Sequence, residues 1–127
     1  MGARLTIDVN HQLVVSTYSG EINAAEILGQ ASLIRSHPDF DPSFSELVDL
    51  SGATVGSSPT SALQDLSRSV SIFSPTSLHV VIAPQDLTFG LVRMFEVFAE
   101  KTKPNIVLVR TIDEARKILR LEKTALD

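Results

Sequence analysis

The chain has 127 residues and a mass of 13.8 kDa, which fits one globular domain and is short for two. Hydrophobic residues make up 43% of the chain and charged residues 20%, a composition that argues against disorder. The net charge is −4 and no cluster of Lys or Arg stands out, which argues against nucleic-acid binding, because basic side chains on phosphates supply most of that affinity. We therefore expect one domain over 1–127, with an ordered core from about 4 to 121.

The absence of cysteine excludes thiol catalysis, disulfides and thiolate metal sites. The first residues carry no apolar core of the kind found in secretory signals. The longest apolar-rich stretch, 86–99, is interrupted by Arg93 and Glu96 and is too short to span a bilayer. We therefore expect a cytoplasmic protein without a membrane span.

The first part of the chain predicts a β-hairpin followed by a helix. Polar and apolar residues alternate over 4–9, and a second strand follows over 12–18. Asn10-His11 is the expected turn between these strands, because Asn tolerates positive φ. Asn23 is placed to cap a helix that ends before Pro38. That helix carries Ile27, Leu28, Ala31 and Ile34 on one face.

The rest of the chain predicts three strands and three helices. The strands are centred on 46–50, 78–83 and 105–109, and the last two read as strands covered on both faces. The helices begin at Ser58-Pro59, at about Leu87 and at the capping box of Thr111. The order predicts an α/β domain with a single mixed, mostly parallel five-stranded sheet and four helices.

Two stretches resemble the anti-sigma-factor antagonist (STAS) domains. The run from Leu47 to Thr54, followed by Gly56-Ser57-Ser58, is similar to their strand–loop–helix signature. The whole chain resembles a group of small bacterial single-domain proteins of the same SpoIIAA-like fold. The shared stretches are Pro38-Asp39-Phe40, Leu47 to Leu50, Phe89-Gly90 with Arg93-Met94, and Asp113-Glu114-Ala115. The resemblance implies a SpoIIAA-like, STAS-like fold.

The resemblance also places a candidate phosphoacceptor at Ser57. In the antagonist family a serine at the start of the second helix accepts phosphate, and a dianion there alters a docking surface. Gly56 and Pro59 depart from the family pattern, which has Asp and Gly at these positions. The alternative is that Ser57 and Ser58 only cap the helix, and we expect the cap at Ser58 and no modification.

Residues for catalysis or metal binding are sparse. The three histidines share no metal-ligand or catalytic spacing, so we expect no metal and no cofactor, and His79 is expected to be a packed or edge residue. Asp49 is a weak candidate for a polar site, because it lies near the carboxyl end of a central strand, where ligands bind in open α/β sheets. The alternative is a carboxylate that accepts hydrogen bonds from the next loop.

The helix at 86–100 provides a candidate interaction surface. Its apolar arc, expected in the core, consists of Leu87, Leu91, Met94, Phe95 and Phe98. Phe89 and Val97 instead flank Arg93 near the polar side, a composition typical of a protein contact or the rim of a ligand site. The alternative is that a neighbouring loop covers Phe89.

Three hypotheses for function follow. The first is a non-enzymatic STAS-like regulatory module that contacts a protein partner or a second copy of the chain. The alternative is a small domain that binds an apolar or lipid-like ligand between its helices and its sheet. The third is an enzyme that uses Asp49 and the serine loop. A regulator needs an exposed apolar patch, a ligand binder needs an internal apolar cavity, and an enzyme needs convergent polar groups.

Overall fold

The computed structural model describes residues 2–55, 64 and 71–121. Its five strands are β1 (Gly2–Asp8), β2 (Leu13–Ile22), β3 (Ser45–Val55), β4 (His79–Ile82) and β5 (Ile106–Val109). The helices with bounds in this part of the chain are α1 (Ala24–Ser36), α2 (Asp86–Phe98) and α3 (Ile112–Leu119). The predicted α/β class is confirmed, while the helix predicted from Ser58 lies outside the described residues, Gln64 apart. None of the helices described here is long and apolar enough to cross a membrane.

All five strands form one sheet in the order β1-β2-β3-β4-β5. β1 pairs antiparallel with β2, and the other three pairs are parallel, so the predicted mixed, mostly parallel sheet is confirmed. Val48 and Val81 face each other across β3 and β4. β5 is an edge strand in which Val109 is buried and the other three residues are half-buried, and both α2 and α3 contact it.

The hairpin turn between β1 and β2 differs from the expected tight turn. Residues 9–12 connect the strands, and the positive φ of 53° is at Gln12 rather than at Asn10. The Asp8 carboxylate organises the turn, since it accepts hydrogen bonds from the backbone N–H of His11 at 3.1 Å and pairs with its Nδ1 at 2.6 Å. Burial raises the pKa of Asp8, but the bonds to His11 outweigh burial, so the pKa is lowered overall.

The predicted starts of two helices are confirmed by their hydrogen bonds. The Asn23 side chain accepts from the backbone N–H of Glu26 at 3.0 Å at the start of α1. The Thr111 hydroxyl oxygen accepts from the backbone N–H of Glu114 at 3.2 Å at the start of α3. Each bond satisfies a backbone donor that has no partner within its own helix.

Side chains alternate between the two faces of the sheet, and helices pack against both faces. On one face Ala115 of α3 packs with Leu47, Val80 and Ile82. On the other face lie α1 and α2: Ile34 of α1 packs with Val14, and Val92 of α2 packs with the cluster that includes Val48 and Val81. The second face therefore has two helices side by side above the strands.

α2 presents a different side to the sheet from the one expected. Leu87 is 73% exposed and Met94 is 39% exposed, whereas Thr88 and Ala99 are buried, so the expected apolar arc is only partly in the core. Compared with the orientation predicted from the sequence, α2 is rotated about its own axis by roughly one residue position, about 100°. Val92 packs on the sheet, and the exposed large apolar side chains of α2 are Leu87, Met94 and Val97. The result is an exposed apolar stripe along α2.

Candidate functional site

A cavity of about 410 Å³ lies on the sheet face that carries α1 and α2. Its size falls within the range of about 300–1,000 Å³ that is typical of small-molecule sites. Most of the side chains around it are apolar. They include Val48, Leu50 and Val81 on the sheet and Ile34, Leu91 and Phe95 on the helices.

The cavity follows the direction of the parallel strands. Ile22 and Leu50 line it toward the carboxyl ends of β2 and β3, while Glu46 and His79 line it at the amino ends of β3 and β4. Leu50 lies four positions after Glu46 along β3, a distance of about 13 Å in an extended strand. The lining therefore extends along the strands over at least this distance.

An acid–imidazole pair lies in the wall of this cavity. His79 Nδ1 is 3.0 Å from Glu46 Oε1, and the two side chains are 10% and 18% exposed. The residues stand opposite each other in the register of β3 and β4. The edge of the His79 imidazole also contacts Phe73, with ring centroids 5.0 Å apart and planes at 89°. His79 is thus packed, as expected.

Spacing along the chain could not reveal the partner of His79, because Glu46 is 33 residues away in sequence. A signal was nevertheless present in the pattern of β3. Glu46 shares its side of the strand with Val48 and Leu50, so it places a charge on an otherwise apolar face. A charge at such a position needs a partner when it is buried, and the neighbouring strand supplies one.

Tyr18 is a buried polar group in the cavity wall. Burial raises the pKa of its hydroxyl well above the usual range, and the negative charges of Glu46 and Glu26 raise it further. The phenol is therefore neutral at physiological pH and can donate or accept a hydrogen bond. Glu26 Oε1 is buried near the start of α1 and has no hydrogen-bond partner in the described part of the chain.

Gln30 attaches α1 to the sheet beside the cavity. Its Nε2 donates to Ser16 Oγ at 3.2 Å and to the carbonyl oxygen of Arg4 at 3.5 Å. The apolar side chains predicted on one face of the same helix differ in their burial. Ile34 is buried, whereas Leu28 lines the cavity with 46% of its surface exposed. A large apolar residue at the rim is common where a small molecule enters a protein.

Two cationic side chains also line the cavity. Arg35 lies in the last turn of α1, and Lys103 follows α2. Burial lowers the pKa of the Lys103 ammonium. Among the described residues of the lining, Glu46 is the acidic one.

Asp49 lies on the opposite side of the sheet from the cavity. It alternates with Val48 along β3 and therefore shares the face of Leu47, which packs against α3. Its Oδ1 accepts a hydrogen bond from the backbone N–H of Ser51 at 2.9 Å. This is the contact expected of a carboxylate that organises the following loop.

The three residues of the candidate interaction surface differ in their exposure. Phe89 is half-buried, with the guanidinium carbon of Arg110 at 4.1 Å and that of Arg93 at 5.4 Å from its ring centroid. Arg110 also donates to Asp86 Oδ1 at 2.6 Å, which keeps it over the ring. Arg93 and Val97 are exposed.

The candidate phosphoacceptor or cap, Ser57 and Ser58, lies outside the described residues.

Metal ligands do not gather in the described ranges, where no group of three or more His, Asp or Glu side chains could hold an ion. The sequence matches no protein-family model and no curated protein sequence. The geometry of the cavity and its lining is the feature of the chain that bears on its function.

Proposed function

We propose that the chain is a non-enzymatic binding module that holds an apolar small molecule in the cavity between α1, α2 and the sheet. The observation that carries this proposal is the apolar lining of a cavity of about 410 Å³. The cavity opens to solvent beside Leu28, and its size and mostly apolar lining are those of small-molecule sites. A ligand that fills the cavity makes van der Waals contacts with the side chains that line it.

The gain from filling the cavity favours alkyl or ring systems. Each buried methylene contributes about 0.8 kcal/mol, so a chain of several carbons suffices for micromolar binding once the cost of immobilising the ligand is subtracted. The few polar groups in the lining orient such a ligand rather than provide most of its affinity.

The resemblance to STAS-like proteins supports a regulatory use of this binding. α1 and α2 both contact the cavity, and both present apolar side chains to solvent, including Leu33 and Val97. A ligand that bound between them would set their separation and so alter the outer surface that they form. Binding would then control a contact with another protein.

The proposal is tested by filling the cavity from α1. Ala31 lines the cavity and is half-buried, whereas Ala25 is exposed on the same helix. We expect Ala31→Phe to lower the affinity for the neutral fluorophore N-phenyl-1-naphthylamine at least tenfold, because the phenyl ring occupies the ligand's space. Ala25→Phe is the matched control and should bind as the unmodified chain does.

Thermal unfolding of both variants shows whether they remain folded. Equal binding by Ala31→Phe and Ala25→Phe, or no binding of the fluorophore to the unmodified chain, contradicts the proposal.

The exposed stripe of α2 favours contact with a second copy of the chain as a second candidate function. Leu87 and Val97 are 73% and 65% exposed, and Met94 lies between them along the helix. If this stripe forms a dimer, Leu87→Glu with Val97→Glu should convert a dimer to a monomer in sedimentation velocity. A monomeric unmodified chain at high concentration excludes self-association through this face.

A further inference from the structure

The strand β1 lies at one end of the sheet and leaves one of its sides open. Among the described residues, β2 is the strand that pairs with it. We infer that β1 pairs antiparallel with β1 of a second copy of the chain, so that the two sheets join across a two-fold axis at Thr6. This surface is separate from the cavity, and the inference does not depend on a ligand.

The backbone groups of β1 are placed for such a pairing. The first N–H of β3 donates to the carbonyl oxygen of Gln12 at 3.0 Å, so this carbonyl faces β3. Bonding groups alternate between the two sides of a strand, so those of Leu13, the next residue, face Asp8 of β1. The same alternation along β1 turns the N–H and C=O of Leu5 and Ile7 away from β2. A row of such groups is a template for another strand.

The sequence of β1 is complementary to itself in one register. With the axis at Thr6, Arg4 of each copy stands opposite Asp8 of the other, and Leu5 stands opposite Ile7. Opposite charges on facing residues of antiparallel strands stabilise the pair, whereas like charges destabilise it. An axis at Leu5 removes this charge pair, and an axis at Arg4 places two arginines opposite each other. Arg4 is exposed and the Asp8 side chain is 33% exposed, so both are accessible to a second copy.

Helix α1 carries an exposed apolar side chain on the flank that faces the open side of β1. Ile34 is buried, and at about 100° per residue Leu33 and Arg35 lie on opposite flanks of the helix. Arg35 lines the cavity, so Leu33 lies on the flank away from it, where it is 60% exposed. Gln30, which is close to Leu33 around the helix, donates to the carbonyl oxygen of Arg4 in β1 at 3.5 Å.

The level and the distance of α1 fit a contact across the same axis. Gln30 and Ile34 contact β2 one position on either side of the register partner of Thr6. Leu33 lies between them along the helix and therefore stands near the level of the axis. α1 contacts both β1 and β2, and strands are about 4.8 Å apart, so the two copies of α1 lie about 10 Å from each other on one face of the joined sheet. Packed helices have this separation, so the two Leu33 side chains meet.

Cysteine crosslinking of the full chain tests the register, because the chain contains no cysteine of its own. Thr6 is exposed, and at a non-hydrogen-bonded pair the facing Cα atoms are about 4.5 Å apart, a distance that a disulfide bridges. We expect Thr6→Cys to form a disulfide-linked dimer on oxidation at least tenfold faster than Ala3→Cys. Ala3 is also exposed on β1, but in this register it lies about 20 Å from Ala3 of the second copy.

Sedimentation velocity measures the contributions of the charge pair and of α1. The unmodified chain should sediment as a dimer, and Arg4→Glu should weaken the dimer at least tenfold, because it places carboxylates opposite each other. Leu33→Glu should also weaken it, since it brings two like charges together at the axis. Lys101→Glu makes the same change of charge as Arg4→Glu at an exposed position after α2 and should leave the dimer unchanged. Thermal unfolding of each variant shows that it remains folded.

The inference is overturned by a monomeric unmodified chain at high concentration, by equal crosslinking of Thr6→Cys and Ala3→Cys, or by a dimer that Arg4→Glu leaves unchanged. Dissociation by Leu87→Glu with Val97→Glu assigns self-association to α2 and overturns it as well. Binding of the neutral fluorophore is measured separately, so the proposed cavity function stands or fails independently of these results.

Discussion

Tyr18 is the residue at which the electrostatics of the cavity can be measured most directly. It is the only tyrosine in the chain, which contains no tryptophan, so tyrosinate absorbance reports on this side chain alone. Burial is the largest cause of its raised pKa, and Glu46 contributes more than Glu26, the other negative charge that raises it. The pKa of Tyr18 therefore depends on both the burial of its hydroxyl in the cavity wall and the negative charge of the nearby carboxylates.

A spectrophotometric titration tests this environment. In the native chain the increase in absorbance of tyrosinate should have its midpoint well above a pH of about 10, the pKa of a free tyrosine. Glu46→Gln should lower the midpoint because it removes a negative charge, and Glu21→Gln, at an exposed position, should not. A native midpoint near that of the unfolded chain would show that Tyr18 is solvated.

The same shift makes stability depend on pH at alkaline values. The unfolded chain loses the Tyr18 proton near pH 10, while the folded chain retains it. Between these two pKa values the unfolded state binds fewer protons, so the free energy of unfolding should fall as pH rises above about 10. Urea titrations from pH 8 to pH 11 should show this decline, and Tyr18→Phe should reduce it. A decline of equal slope in Tyr18→Phe would assign the effect to other groups.

Single residues were predictable where their partners are local. Asn23 and Thr111 bond three residues ahead, and both caps follow from residue type and position. The pairing of Glu46 with His79 depends on which strands are neighbours, and the covering of Phe89 depends on Arg110 from another loop. Such contacts are fixed by tertiary structure, so sequence spacing does not contain them.

At the level of elements, the strands were easier to predict than the orientation of α2. Apolar residues occur on almost every side of this helix, and hydrophobic periodicity then gives no single buried face. The burial of Thr88 and Ala99 and the bond between Asp86 and Arg110 define the observed orientation instead. Leu87, which the periodicity placed in the core, is exposed as a result.

The orientation of α2 predicts which substitutions affect stability. Leu87→Ala should change the free energy of unfolding by less than about 0.5 kcal/mol, because the side chain is already in water. Ile82→Ala, in the buried cluster under α3, should cost about 2–5 kcal/mol. Chemical denaturation measures both values. A loss of stability for Leu87→Ala comparable with that for Ile82→Ala would show that Leu87 is buried, as periodicity predicted, and would contradict the observed orientation of α2.

The cap of α3 gives a second prediction for an element. Thr111→Ala removes the acceptor for the backbone N–H of Glu114 and should destabilise the chain by about 1 kcal/mol. Thr111→Ser keeps the hydroxyl and should retain most of the stability in the same denaturation experiment. Equal losses in the two variants would show that the methyl group, rather than the cap, matters.

For the whole molecule, the sequence predicted the number of the strands and their succession along the chain, but neither their order in the sheet nor the cavity. Alternating and apolar runs identify strands, and right-handed connections limit how they assemble, so the mixed sheet followed from local patterns. A cavity depends on how far α1 and α2 stand from each other over the sheet, which no pattern within either helix encodes. The ligand-binding hypothesis could be stated from the fold class, and its location required the structure.

The most direct test of the binding function is methyl NMR of the full chain during titration with 1-octanol. The cavity predicts saturable shifts of the Val48, Val81 and Leu91 methyl signals, which line it. The signals of Val80 and Ile82, buried on the opposite face of the sheet, should move little. Shifts confined to the exposed stripe of α2, or no saturable shift at any methyl group, would contradict the proposal that this cavity binds an apolar ligand.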